Sequence, residues 1–156
     1  MIVFSHLPFM KEVACAANVN FVPGQDHGIF RTGSDGQLLG GVLFTDYTGA
    51  SSQMHVAGFH QNWLNRELIY VTFDFAFVKL RMKKLIGLVP EANERAFIFD
   101  TRIGFKQEAR IEDVFPEGAA LILTLHRDDC KYLRPPALLR EKFGLGEPLK
   151  RNYLDG

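Results

Sequence analysis

The sequence predicts an α/β protein, a mixed sheet with a few helices, and three observations carry that reading. Short apolar runs broken by glycine and aspartate, as in IFRTGSDGQLLGGVLFT, predict hairpin strands. A continuous apolar run, KLIGLVP, predicts an interior strand covered by helices. Between them, residues 62–80 carry apolar groups at helical spacing around most of their circumference.

Residues 8–19, PFMKEVACAANV, place Phe9, Val13 and Ala16 at helical spacing behind Pro8, so a short first helix is expected there. FVPGQDHG is loop. Two strands then flank Ser34-Asp35-Gly36, a turn whose glycine supplies the positive φ of a tight hairpin. TDYTGASSQ reads as a polar connection and MHVAGFH as a third antiparallel strand.

Asn62 or Asn65 can cap the next helix, which runs to about Leu80. Leu64, Leu68, Val71, Phe75 and Val78 form one apolar stripe; Ile69, Phe73, Phe77 and Leu80 form another. Only Glu67, Tyr70, Asp74 and Arg81 are left for a narrow polar side, so this helix is expected to be mostly enclosed. With the strands on either side it makes one right-handed crossover. NERAFIFDTRIGF is a further helix, stopped at Gly104. KQEARIEDVF and AALILTLHRDD form a final strand pair around Pro116-Glu117-Gly118, and Pro135-Pro136 introduces a tail helix, ALLREKF, closed at Gly144.

The chain has 156 residues, 47% of them hydrophobic and 23% charged, the mix of one globular domain that buries its core without staples. Its 18 basic and 18 acidic side chains leave no net charge, so no nucleic acid and no anionic membrane surface is expected as a partner. Cys15 and Cys130 belong to no CxxC pair, which argues against a disulfide framework and a zinc site; no metal and a reducing cytoplasm are expected. MIVFSHLPFMKE lacks the apolar run of a secretion signal, and no stretch reaches membrane-spanning length.

The order of elements, with DGQLLGGVLF and NERAFIFDTRIGFKQEARI, resembles the GCN5-related N-acetyltransferases (GNAT) over residues 1–133. Asn93, Ala96, Gly104, Phe105 and Glu108 stand at that family's spacing for a helix start, a packed alanine, a Gly-Phe stop and an acid on the following strand. The resemblance implies a mixed, mostly antiparallel central sheet with splayed parallel strands in the middle, here MHVAGFH and KLIGLVP, and helices on both faces. It implies that acetyl-coenzyme A (acetyl-CoA) lies in the V between those strands and gives its acetyl group by direct transfer to a primary amine of a small molecule or a protein. Residues 134–156 would be a tail with a short helix, packed on the domain or on a partner.

In this family the coenzyme diphosphate sits on the N-terminus of the long helix, where a QxxGxG or RxxGxA turn presents backbone amides. The turn here is QNWLNR: Gln61 matches, while Leu64 and Arg66 replace small residues. The helix dipole remains and Arg66 adds a charge, so phosphate is expected to bind with a modified geometry. The resemblance thus makes Gly58, Phe59, His60, Gln61, Asn62, Trp63, Leu64, Asn65 and Arg66 the coenzyme-binding stretch, joined by Asn93. It extends to compact phage-encoded members with a Trp and an Arg in this turn. An N–H of Gly58 or Phe59 would polarise the thioester carbonyl. Plainer roles compete: Trp63 as a packing anchor, Asn93 as a helix cap, Arg66 as a partner of Glu67.

His55 and His60 are candidate general bases, and His55 is preferred because His60 sits at the mouth where the coenzyme passes; a purely structural histidine is the alternative. Many family members carry a tyrosine, seven residues after the asparagine, that protonates the departing thiolate. Asp100 stands there, and a carboxylate of ordinary pKa is a poor acid at neutral pH, so water is expected to serve. Asp46 and Tyr47 can line an acceptor pocket shaped by FVPGQDHG and TDYTGASSQ. The tail holds six basic residues (Lys131, Arg134, Arg140, Lys142, Lys150, Arg151) against three acids (Glu141, Glu147, Asp155), a solvated face or a docking segment for a partner or for a homodimer. Missing glycines, the missing tyrosine and this tail motivate the rival expectation, a catalytically silent acetyltransferase-like interaction or virion-associated protein.

Overall fold

The computed structural model describes residues 1–147. Its strands are β1 (Ile2–Phe4), β2 (His27–Thr32), β3 (Leu38–Thr45), β4 (Ser51–Gly58), β5 (Lys84–Pro90), β6 (Lys106–Phe115) and β7 (Gly118–His126). They form one sheet in the order β1-β2-β3-β4-β5-β7-β6, antiparallel throughout except between β4 and β5. Of these, β1 was not expected. Three residues are too few to show an alternation, and the strand exists because Ile2 and Phe4 pair with Arg31 and Ile29.

Helix α1 (Leu7–Ala17) lies on one face of the sheet, burying Met10, Val13 and Ala14 against Phe30 and Leu43. It ends at Asn18, which adopts the left-handed conformation. The hairpin between β2 and β3 closes through Gly33 N–H to the Gln37 carbonyl at 2.9 Å, with Gly36 at φ 82° as expected of the turn glycine.

The opposite face carries α2 (Arg66–Asp74), α3 (Glu94–Ile103) and α4 (Ala137–Phe143). The α2 cap is Asn65, whose side-chain oxygen accepts from Leu68 N–H at 2.9 Å, and not Asn62. Past Asp74 the coil widens to i→i+5 bonding over Phe75–Lys79, with Leu80 N–H on the Phe75 carbonyl at 2.9 Å. Leu68, Phe73 and Phe77 reach the core with Phe44, Leu85 and Leu123, each fully buried side chain contributing about 1.5–3 kcal/mol.

Asp74 departs from the expected polar side of this helix. It is buried, accepts from Gly146 N–H at 2.6 Å and pairs with Lys79 at 3.7 Å, because the chain following α4 folds over it. Burial raises its pKa, opposed by those two partners. Leu139 and Leu145 join the same core, and Lys142 pairs with Glu67 at 2.7 Å, so the described tail packs on α2. Lys150, Arg151 and Asp155, counted in the basic tail, lie outside the described residues. Among the described residues, no helix is long and apolar enough to cross a membrane.

The centre of the sheet positions the site. Parallel pairing is limited to Ser51–Lys84, Ser52–Leu85 and Gln53–Ile86. Beyond it β4 stays with β3 as far as Gly58 and β5 stays with β7 as far as Pro90, so the two strands part. Residues 51–53, read as polar connection, are therefore strand, and the read strand 54–60 supplies the diverging arm. A Ser-Ser-Gln run carries no apolar alternation; Ser52 is buried because its hydroxyl donates to the Thr45 carbonyl at 2.5 Å.

Candidate active site

Where two neighbouring strands part, their facing peptide groups lose each other as partners and become available to a ligand. Phe59 N–H donates to the Leu39 carbonyl at 2.9 Å. Alternate peptide groups of an antiparallel strand point opposite ways, so the Gly58 N–H turns into the V. Of the two amides expected to polarise a thioester, Phe59's is already engaged and Gly58's is available.

Two adjoining cavities follow the V and share Ala16, Val56, Asn93 and Ala96. The wide one, about 570 Å³, is walled by Gly58, Phe59, His60, Gln61 and Trp63 on one side and by Asn93 and Arg95 on the other. The narrow one, about 240 Å³, reaches the vertex between His55 of β4 and Gly87 and Asp100 of β5 and α3.

The bulky residues of the QNWLNR turn do not fill this space. Trp63 lies flat on the glycine row formed by Gly40 and Gly58 and stacks on Phe99, with ring centroids 5.9 Å apart. Leu64 points to the core side, beside Ile69 and Phe73, where only about 10 Å³ stays empty. Arg31 fastens the turn by donating to the carbonyls of Asn62 and Trp63. Within the turn, Asn62 N–H bonds His60 Nδ1 at 3.2 Å and Trp63 N–H bonds the His60 carbonyl at 3.1 Å. The amides of Asn65, Arg66 and Glu67 have no acceptor among the described residues, leaving the first turn of α2 free to receive an anion.

Asn93 caps α3, its side-chain oxygen accepting from Ala96 N–H at 3.1 Å, and also borders the wide cavity. Arg66 is exposed and has no ion pair among the described residues; its expected competitor, Glu67, is taken by Lys142. Arg95 faces the cleft from the first turn of α3. A cation there opposes the helix dipole, the same signal that singles out Arg66 on α2.

Two titratable side chains meet the vertex. His55 Nε2 is 2.9 Å from Thr45 Oγ1, whose hydroxyl donates to Asp46 Oδ2 at 3.1 Å. The hydroxyl has one proton, so Nε2 carries hydrogen and Nδ1 keeps a lone pair. Desolvation lowers the His55 pKa, partly offset by Asp46 and Asp26, which keeps the ring neutral near pH 7 and able to accept a proton. Asp100 is 9% exposed, and its carboxyl makes no hydrogen bond among the described residues. Burial pushes its pKa up to about 6, so the premise of an ordinary carboxylate, which had removed it as an acid, does not hold.

Beyond the vertex, the two loops expected to choose the acceptor come together. Val22, Gln25 and Asp26 of one face Asp46 and Tyr47 of the other around a pocket of about 410 Å³. Asp26 is itself nine-tenths buried and accepts from Val22 N–H at 2.6 Å. Two carboxylates and no basic group line the pocket, which suits a cation.

The fold therefore brings Gly58, Phe59, His60, Gln61, Trp63 and Asn93 to one cleft and His55 to its inner end, while Asn62, Leu64, Asn65 and Arg66 stand outside its wall. Arg31 and Arg95 carry no motif in the sequence, and Asp100 is a residue that the sequence places at the tyrosine position but sets aside as an acid. Among the described residues, no group of three His, Cys, Asp or Glu side chains is placed to hold a metal ion.

No protein-family model matches the sequence, and no curated protein matches it. Solved structures do match the fold. Mutant forms of the spermidine/spermine N-acetyltransferase SpeG from Vibrio cholerae align with a TM-score of 0.66 at 16% identity, over 85% of this chain and 98% of that one. The Vibrio cholerae spermidine N-acetyltransferase in complex with CoA and spermine aligns at 0.60 and 17%, over 80% and 76%. A GNAT-family acetyltransferase from Bacillus anthracis aligns at 0.54 and 12%, over 67% of each chain. The chain has the mixed, mostly antiparallel GNAT fold expected of it.

Proposed function

We propose that this chain is an acetyl-CoA-dependent N-acetyltransferase that acetylates a primary amine of a small cationic acceptor by direct transfer. The observation that carries the reading is the open V, two adjoining cavities leading from a mouth walled by His60, Gln61 and Arg95 to a vertex lined by His55 and Asp100. Gly58 N–H would polarise the thioester, Arg95 and the first turn of α2 would face the diphosphate, and His55 Nδ1 would take the acceptor's proton. The acidic pocket of Asp26 and Asp46, together with the spermine-bound neighbour of like fold, supports a polyamine-type acceptor.

The rival reading, a silent interaction module, is favoured by one observation: two amides of the turn, those of Asn62 and Trp63, are spent within the turn itself. A thermal titration separates the two. Ligand at a hundredfold excess over Kd adds about 2.7 kcal/mol to the folded state. For a chain of this size that raises the melting midpoint by roughly 5–10 °C. Acetyl-CoA is expected to produce such a rise and spermidine to be acetylated. An unmoved midpoint at millimolar acetyl-CoA would leave the silent module standing.

A further inference from the structure

Two carboxyls are buried on the helical face of this sheet, and they are treated differently. Asp74 has a backbone N–H and a lysine as partners. Asp100 has neither, although an unpaired buried carboxylate is costly and a structural one would be expected to have partners. Its Oδ2 lies 3.3 Å from where a Cβ on Gly87 would be, and Gly87 is the first residue of β5 past the last parallel pair. The missing side chain leaves the carboxyl open to the narrow cavity.

Resting on the acetyltransferase reading above, we propose that Asp100 is the acid that protonates the sulfur of coenzyme A as it departs. The acceptor ammonium gives one proton to His55 Nδ1 or water, and its nitrogen then bonds the thioester carbon. On collapse the C–S bond breaks and its electron pair stays on sulfur, which takes the Asp100 proton. The second nitrogen proton passes to solvent, and water reprotonates Asp100. The balance is one C–N bond made, one C–S bond broken and one proton released. What lines the cavity around Asp100 favours its protonated form: Gly87 from β5, Ala16 and Ala17 from α1, and from β4 Met54, Val56 and His55, the last a neutral ring tied to Thr45. No charged group on these elements lines that cavity among the described residues. Burial alone raises the pKa to about 6.

The test reads thiol release from acetyl-CoA, with spermidine or water as acceptor, against pH for the wild type, Asp100→Asn and Asp100→Glu. Wild-type kcat is expected to fall on the alkaline side as the acid ionises. Asp100→Asn should lower kcat roughly ten- to hundredfold, flatten that limb and leave the acetyl-CoA-induced thermal shift intact, with Asp100→Glu restoring part of the limb. An Asn variant with wild-type kcat and limb would overturn the proposal, and so would one that loses acetyl-CoA binding together with turnover, since Asp100 would then be only a wall. A wild type that neither binds nor cleaves acetyl-CoA fails earlier, at the enzymatic reading itself, and removes both.

Discussion

Trp63 occupies the space that a side chain at Gly58 would need: a Cβ on Gly58 would fall 2.2 Å from the indole Nε1. Gly40, opposite it on β3, leaves the same ring room, its own Cβ position lying 2.8 Å from Cε3. Gly58→Ala should therefore push the indole off the sheet, at an overpacking cost of about 1–3 kcal/mol. Trp63 is the sole tryptophan, so its fluorescence reports the displacement directly, beside a lower urea midpoint. An unchanged emission spectrum would mean that the ring is not seated on the glycine row.

Arg95 and Arg66 both stand as cations in the first turn of a helix, where the dipole disfavours them unless an anion arrives. Replacing either with alanine should leave the free protein as stable or slightly more so. Affinity for acetyl-CoA should fall about two- to fivefold for each, an effect that salt reduces. Arg95→Ala should be the larger loss, because Arg95 borders the cleft. Calorimetric titration at two ionic strengths decides this; equal affinity in all variants would remove the arginines from the site.

Asp100 also makes a prediction about stability. Its pKa rises on folding from 3.8 to about 6, so the folded state favours the protonated form. That contribution is fully present below pH 3.8 and is lost as pH climbs to about 6, an overall loss of about 3 kcal/mol. Asparagine cannot ionise, so Asp100→Asn should match the wild type near pH 4 and exceed it in stability by up to about 3 kcal/mol at pH 7.5. Denaturant midpoints at the two pH values measure the gap. A gap independent of pH would show that the carboxyl is not desolvated as described.

Asp46 acts on two quantities at once. It lines the acidic pocket, and it holds the hydroxyl that holds His55. Its charge raises the His55 pKa against desolvation, so Asp46→Asn should move the acidic limb of the rate profile to lower pH. The same variant should raise KM for spermidine by about tenfold, the weight of one partly screened ion pair, with KM for acetyl-CoA unchanged. Asp26→Asn should share the effect on the acceptor and move the limb less. Equal kinetics for a cationic and a neutral amine would argue against this pocket as the acceptor site.

Much of the architecture was legible because its signals are local. The SDG turn, the Asn93 cap, the Gly104 stop and the two apolar stripes of α2 each follow from a few neighbouring residues. Three features were not. β1 has no pattern until β2 is beside it; residues 51–53 look like loop until their hydroxyls and amides are paired; and Asp74 looks exposed until the segment after α4 covers it. The site divides the same way. Asn93 and Gln61 could be found by motif, whereas Arg31 reaches the turn from β2, thirty-one positions away from Asn62.

By itself, then, the sequence determined the order of helices and strands, the absence of net charge and the chemical inventory of the cleft, since each depends on side-chain type and short-range spacing. Tertiary structure decided what that inventory can do. Whether Leu64 and Trp63 block a coenzyme depends on which way they turn: the glycine row seats Trp63 flat in the cleft wall, and the core draws Leu64 out of the V. Whether Asp100 is an anion or an acid depends on how much water reaches it, and only the packing of α3 over β5 removes that water.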